Sequence, residues 1–285
     1  MTPERKRARV SRTMVPTEEA PAVLPTGPEP EDVDVKQFYV PSDALDACDA
    51  PEAEAAALAE RLDSDSWTLA CASLLIVRRL ATHHPDNLAE VLDVVLPKVR
   101  HHMNSLRSSL CKTALICAAD LFHAFGDVML EHLETGEPSV LTTLLSKAAL
   151  EKRFVMDEAK RTLAAAVSYL SVEDVMRALL DRVGSKNDKV RAVVATCVAD
   201  AAEKALAERS ENDDEPCCVE IERDELLRAA ASFVNDRQPN ARESARRLLS
   251  RLRETFLETA DQEEWAQHAE ATLGKAEAVR ILKIA

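Results

Sequence analysis

From about residue 43 onward, apolar residues recur at intervals of three and four. Leu88, Val91, Leu92, Val95, Leu96 and Val99 form one such stripe, the spacing that lines one face of an α-helix. Pro85 stands where a first helical turn begins, and Pro97 lies late in the stripe, where it kinks or ends the helix. Ser171-Val-Glu-Asp174 has the order of a capping box and opens a run with Val175, Leu179, Leu180 and Val183. Gly184 then closes that helix and Asn187 starts the next. The pattern predicts about eleven or twelve helices of roughly 10–20 residues with short connectors. The acidic stretch Glu208–Val219 reads as a loop. Prolines at 3, 16, 21, 25, 28 and 30 deny residues 1 to about 40 any helical period. Residues 1–42 are therefore assigned to a disordered tail and 43–285 to one folded domain.

Helices in pairs suggest a repeat, and five segments align. They are Trp67-Thr-Leu-Ala-Cys-Ala72, Leu106-Arg-Ser-Ser-Leu-Cys111, Phe154-Val-Met-Asp-Glu-Ala159, Val190-Arg-Ala-Val-Val-Ala195 and Asn240-Ala-Arg-Glu-Ser-Ala245. Each places Ala or Cys five residues after its anchor, and Ile76, Leu115, Leu163, Ala199 and Leu249 follow at nine. The anchors are 39, 48, 36 and 50 residues apart, close to the roughly 40–47 residues of a HEAT or armadillo unit. A small side chain lets helices approach, and a large one packs between layers. The predicted fold is all-α, an alpha-solenoid of about six HEAT-like helical hairpins. Such a stack has long surfaces and loop edges but no crevice that collects catalytic groups.

Composition agrees with that reading. The chain has 285 residues with only 5 glycines and 4% aromatics, too few turn and strand formers for an all-β fold. It has no glycine-rich phosphate loop. No apolar run reaches the roughly 20 residues of a membrane span, and Met1-Thr-Pro-Glu-Arg-Lys-Arg-Ala-Arg9 lacks the apolar core of a secretory signal. Seven unpatterned cysteines are expected to be reduced thiols. The net charge of −14 is uneven: residues 1–16 carry five bases and one acid, residues 17–65 two bases and fourteen acids, and residues 66–202 sixteen of each. A near-neutral body with no traceable basic face argues against nucleic-acid binding.

In a hairpin stack the loops inside each pair share one edge. Here they are Asp63-Ser-Asp-Ser-Trp67, His102-Met-Asn-Ser-Leu-Arg107, Leu150-Glu-Lys-Arg-Phe154, Gly184-Ser-Lys-Asn-Asp-Lys-Val-Arg191 and Asn235-Asp-Arg-Gln-Pro-Asn-Ala-Arg242. A tryptophan followed by a line of cations suits a long acidic partner, because aromatic anchors and Arg dominate interfaces and cations steer approach. Bland roles stand beside this one. Arg107, Arg191 and Arg242 sit early in their helices, where a HEAT unit commonly bonds such an Arg to a neighbouring Asp. Trp67 reads equally as core. Lys152, Arg153, Lys186, Lys189 and Arg237 lie nearer the loop tips, where they serve either binding or solubility.

These segments resemble a TOG domain of the CLASP N-terminal type, a HEAT-repeat module that binds tubulin. Leu106-Arg-Ser-Ser-Leu-Cys-Lys-Thr-Ala-Leu115 followed by Asp120-Leu-Phe122 is similar to its second repeat, and Lys152-Arg-Phe-Val-Met-Asp-Glu-Ala159 to its third. The Ser66-Trp67 helix start resembles its first-repeat loop. The closing Glu264-Trp265 with Ala278-Val279-Arg280 looks like the end of single-TOG proteins of plants and algae. The resemblance implies that the loop edge contacts tubulin through Trp67, then Asn104 and Ser105, then Lys152 and Arg153, then Lys186 and Lys189, then Arg237. Two departures stand out: the second loop lacks a lysine at its tip, and an insertion around Gly136-Glu-Pro138 lengthens the third unit.

Other signals are weaker. His83-His84 and His101-His102 point in different directions on a helix, and no zinc-ligand spacing occurs, so neither metal nor cofactor is expected. No nucleophile–base spacing suggests an enzyme. Arg5-Lys-Arg-Ala-Arg9 with Arg12 reads as a nuclear import address, as an electrostatic tether or as an uninvolved end. The expectation is a monomeric, non-enzymatic tubulin- or microtubule-binding protein of the cytoplasm and cytoskeleton, in spindle, cilium or flagellum, with no membrane partner. The alternative is a generic HEAT scaffold that binds another protein complex through its concave face.

Overall fold

The computed structural model describes residues 34–208, 219 and 222–284, and every regular element among them is helical. Helix α1 (Pro51–Leu62) and α2 (Trp67–His83) make the first hairpin, and the short α3 (Pro85–Ala89) leads to the second, α4 (Leu92–Met103) with α5 (Ser108–Phe125). After a 3-10 turn and the short α6 (Leu130–Glu134) come α7 (Val140–Ala148) and α8 (Arg153–Tyr169), then α9 (Val172–Leu180) and α10 (Asp188–Glu208). The last two pairs are α11 (Arg223–Val234) with α12 (Pro239–Leu257), and α13 (Gln262–Leu273) with α14 (Lys275–Ile281). This is the expected six-hairpin, all-α solenoid.

The second helix of each pair builds the spine. α2 packs on α5, α5 on α8, and α10 on α12. Cys111, Ala159, Ala195 and Ala245 are all buried at these crossings, as are Leu115, Leu163, Ala199 and Leu249 four residues later. The first repeat differs from the alignment by one residue. Cys71 is fully buried and Ala72 is not, so the equivalent anchor is Ser66 and Trp67 falls one place later. Ser66 caps α2, its hydroxyl accepting from the Leu69 amide, and this puts Trp67 at the first helical position.

Several local expectations need correction. The 88–99 stripe is two helices: α3 ends at Ala89 and α4 starts at Leu92, while Pro97 sits inside α4 without ending it. Helix α9 stops at Leu180, four residues before Gly184, and Gly184 is not among the positive-φ glycines. Ser171 does cap α9 through the Asp174 amide, and Asn187 Oδ1 accepts from the Lys189 and Val190 amides to start α10. In the 126–139 insertion, Gly136 has φ +86° and the Arg100 guanidinium lies where its Cβ would stand. That guanidinium donates to Thr135 O at 2.8 Å. Ser108–Glu134 is long and apolar enough to pass for a membrane span by length and composition, contrary to the sequence reading. Its main part, α5, is instead packed between α2 and α8.

Ordered packing begins before the helical pattern does. Residues 34–42, assigned to the tail, fold back on the second helices, while 1–33 lie outside the described residues. Arg78 of α2 is completely buried. Its Nε donates to Asp120 Oδ2 of α5 at 2.5 Å and its guanidinium donates to Val40 O at 2.7 Å and Phe38 O at 3.4 Å. Ser42 Oγ completes the group by donating to Asp120 Oδ1 at 2.6 Å. Arg79 and His83 hold the backbone oxygens of Asp46, Ala47 and Leu45. Tyr39 reaches as far as α8, its ring 5.7 Å from that of Phe154.

Cys48, Cys71, Cys111, Cys117 and Cys197 are buried and unpaired. Burial pushes the Cys71 thiol up to about 11 and Cys197 to about 12, so both pack as small apolar groups. Cys217, Cys218 and most of the acidic loop lie outside the described residues.

Removing one partner of a buried ion pair leaves the other uncompensated, at a cost of about 3–5 kcal/mol. Arg78→Met should therefore lower unfolding stability in urea by about that much. It should also expose residues 34–48 to limited proteolysis before the helical body is cut.

Candidate functional site

The five loops inside the hairpins are joined in series, each to the next. Between the first and second, the Arg107 guanidinium lies over the Trp67 ring, 4.6 Å from its centroid. Between second and third, Lys152 Nζ donates to Ser108 Oγ, and Asn104 Nδ2 donates to Thr143 Oγ1 of α7 at 3.2 Å. Between third and fourth, Lys189 Nζ pairs with Glu151 Oε1 at 2.8 Å. Between fourth and fifth, Gln238 Nε2 donates to Asp188 Oδ2 at 2.7 Å and Arg191 Nε to Asp236 Oδ2 at 2.8 Å. One edge of the solenoid thus carries a continuous ridge of loop tips, held in register by cross-loop contacts.

Each candidate residue has a definite place on that ridge. Trp67 is half-buried, neither core nor free, and Arg107 is stacked on it. Such an exposed cation–π contact is worth about 0.5–1 kcal/mol, enough to orient the indole without locking it. Asn104 is turned inward, donating to Arg100 O and Thr143. Ser105 Oγ accepts from the Arg107 amide and shapes the second turn. Lys152 and Lys189 are exposed but paired, as above. Glu151 accepting from Lys189 holds the carboxyl below its ordinary range, and the same hydrogen bond raises the lysine. The Arg153, Lys186 and Arg237 side chains are exposed and make no hydrogen bond or ion pair among the described residues. Arg191 bonds Asp236, as its HEAT-type structural role predicts. Arg242 donates to the Asp236 and Arg237 carbonyls. Arg107 departs from that role, for its guanidinium serves Trp67.

Sequence reasoning missed an apolar component. Leu106 is 101% exposed, and Leu69, Leu150 and Phe154 are about 40% exposed along the same edge. In the sequence Leu106 and Phe154 read as repeat anchors within the loop segments. The available signal was Asn104-Ser105, which ends α4 and lifts Leu106 out of helical period. Lys112 Nζ lies 4.4 Å from the Phe154 centroid and 4.8 Å from that of Tyr39, so the third loop repeats the aromatic-plus-cation theme of the first.

His102 ties the base of this ridge to α1. Its Nε2–H donates to Leu62 O at 2.8 Å, and burial lowers its pKa. Among the described residues, no group of three His, Cys, Asp or Glu converges as a metal site.

These features define a class at the level of fold, a HEAT-type solenoid, and the folded chain shares that fold with TOG domains. The folded chain is similar to the MAST/Orbit N-terminal domain (TM-score 0.54, 12% identical, 80% of this chain and 94% of that one). It is likewise similar to TOG3 of Drosophila melanogaster Mini spindles (TM-score 0.54, 12% identical, 80% and 92%). A third similar structure is described as showing that TOG–tubulin binding specificity promotes microtubule dynamics and mitotic spindle formation (TM-score 0.52, 15% identical, 88% and 92%). In sequence the chain is 28% identical over 189 residues to TOG array regulator of axonemal microtubules protein 1 of Mus musculus. That match covers 66% of this chain and about a tenth of the relative. No protein-family model matches the chain.

His102 yields a pH test. Its folded pKa is lowered, so the unfolded state binds the extra proton, and the contribution is complete above the unfolded value of about 6.5 and declines below it. Wild type should lose stability between about pH 6.5 and 5 relative to His102→Gln. Urea unfolding of both proteins across that range measures the difference.

Proposed function

We propose that this chain is a non-enzymatic tubulin- or microtubule-binding module that docks through its loop ridge. The carrying observation is the order of groups along that ridge. Trp67 under Arg107 comes first, then exposed Leu106, then Lys152, Arg153 and Phe154, then Lys186 and Lys189, then Arg237. An aromatic and leucine end supplies desolvated area, and the later cations supply attraction to acidic surface. The named roles of similar proteins support the choice of partner: TOG–tubulin binding in one and regulation of axonemal microtubules in another. Asn104 and Ser105 act on this reading by shaping the loop that presents Leu106 and Arg107.

The ridge is preformed by its cross-loop contacts, so docking needs little rearrangement. The surface pairs Lys189–Glu151 and Lys152–Ser108 are weak enough to exchange for contacts with a partner. The scaffold alternative uses the face of the second helices. In this chain residues 34–48 lie across α2 and α5 toward α8, and this favours the loop edge. The corresponding site of action is the cytoplasmic cytoskeleton, with a cilium or flagellum suggested by the axonemal relative.

Co-sedimentation with microtubules and gel filtration with unpolymerised tubulin test the proposal. Trp67→Ala should weaken binding about 30-fold, the scale of an interface hot spot. Lys152→Glu with Arg153→Glu should weaken it about tenfold or more, and added salt should weaken wild type more than that double variant. Binding unchanged in both variants, or absent from wild type in both formats, overturns it. Tagged protein should redistribute when microtubules are depolymerised, as fluorescence imaging reads directly.

A further inference from the structure

We propose that the cleft between α8 and α10 is a second docking site, which takes an extended acidic peptide through one bulky apolar side chain. The cleft arises where the spine opens. α2, α5 and α8 pack along their lengths, whereas α10 stands off from α8. The space between them is about 540 Å³, within the range of sites that seat a side chain or small ligand. Met156, Leu163 and Val167 of α8 face Ala192, Val193 and Cys197 of α10 across it. They are spaced by seven and four on α8 and by one and four on α10, positions that share a helix face, so the floor is an apolar trough that follows the helices.

Charge on the rim chooses the occupant. Both rim acids are already matched, Glu151 by Lys189 at 2.8 Å and Asp200 by Arg247 at 2.5 Å. The rim cations Arg153 and Lys160 have no hydrogen bond or ion pair among the described residues. They are seven residues apart on α8, two turns along one face, or about 10.5 Å. An extended chain rises about 3.3 Å per residue, so carboxylates three or four residues apart reach both, and a side chain between them faces the trough. A purely apolar segment leaves the two cations unmatched, and a purely acidic one leaves the trough wet. Leu150, Glu151, Arg153, Lys189 and Gln238 of the rim belong also to the loop ridge, whereas Lys160 and the trough itself lie along α8 and α10 beyond it.

The test uses the whole chain and fluorescence anisotropy. The probes are a fluorescein-labelled nonapeptide of glutamates with one central leucine, and the same peptide with a central alanine. The leucine peptide should bind about tenfold more tightly, the scale of added methylenes in an apolar pocket. Lys160→Glu should weaken the leucine peptide about fivefold or more. Ala164→Phe fills the cleft from an exposed position and should abolish the difference between the two peptides. Both variants should melt like wild type by circular dichroism. Equal binding of the two peptides, no binding of either, or indifference to both variants overturns the proposal. No tubulin is present, so any of these results leaves the loop-ridge reading to its own assay.

Discussion

The close approach of successive second helices governs the rest of the molecule. Cys71, Cys111, Ala159, Ala195 and Ala245 all lie within the first eight residues of their helices and are buried. A larger side chain there would push neighbouring hairpins apart, and overpacking a filled core costs about 1–3 kcal/mol. Because the small residue recurs in the first half of each second helix, the turn that precedes it is held close to the spine in every repeat. The ridge of loop tips is thus a consequence of core packing. Its own contacts, one or two per step, need only fix side chains on a frame the core has already aligned.

The exception at α8 and α10 is as informative as the rule. Ala159 and Ala195 are buried as elsewhere, yet the two helices leave a trough lined from Met156 to Val167 and from Ala192 to Cys197. At the other end of the spine α2 and α5 are covered by the chain itself. There a fully buried Arg78 satisfies Asp120, two backbone carbonyls and Ser42 at once. A buried guanidinium is tolerable only when its donors meet acceptors of this kind. The arrangement ties residues 38–42 to the first hairpin through Arg78 and to the second through Asp120.

Much of this was legible in sequence. The helical period, the hairpin pairing, the caps at Ser171 and Asn187 and the structural Arg191–Asp236 bond follow from local rules about spacing and side-chain chemistry. What escaped was set by tertiary contact. The one-residue shift that makes Cys71 the equivalent small residue is invisible because Cys71 and Ala72 are both small. The break between α3 and α4 falls at Glu90-Val91, residues that forbid neither helix nor turn. Leu106 fits an apolar anchor pattern, and only the turn at Asn104-Ser105 carries it out to solvent. Phe38 and Tyr39 sit in a proline-rich acidic context that hides their packing, because their partners are Arg78, 40 residues away, and Phe154, on the third hairpin. The loop-tip candidates lie on the ridge, and their intramolecular partners are set by tertiary contacts that sequence does not display.

Net charge is a poor guide to how such a ridge meets a partner. The chain carries −14 overall, but exposed charges are screened over about 8–10 Å at physiological salt. Only local charges therefore steer contact. Along the ridge those charges are graded. The first loop bears Asp63, paired with Lys98, and exposed Asp65 beside the indole. Exposed cations begin at Arg107 and continue through Lys152, Arg153, Lys186 and Arg237. A ridge that runs from acidic and aromatic to basic is not equivalent to its own reverse. On the proposed function, orientation on a polar partner would follow from the order of the loops rather than from any single contact. The same stacking that holds those turns close to the spine also preserves that order.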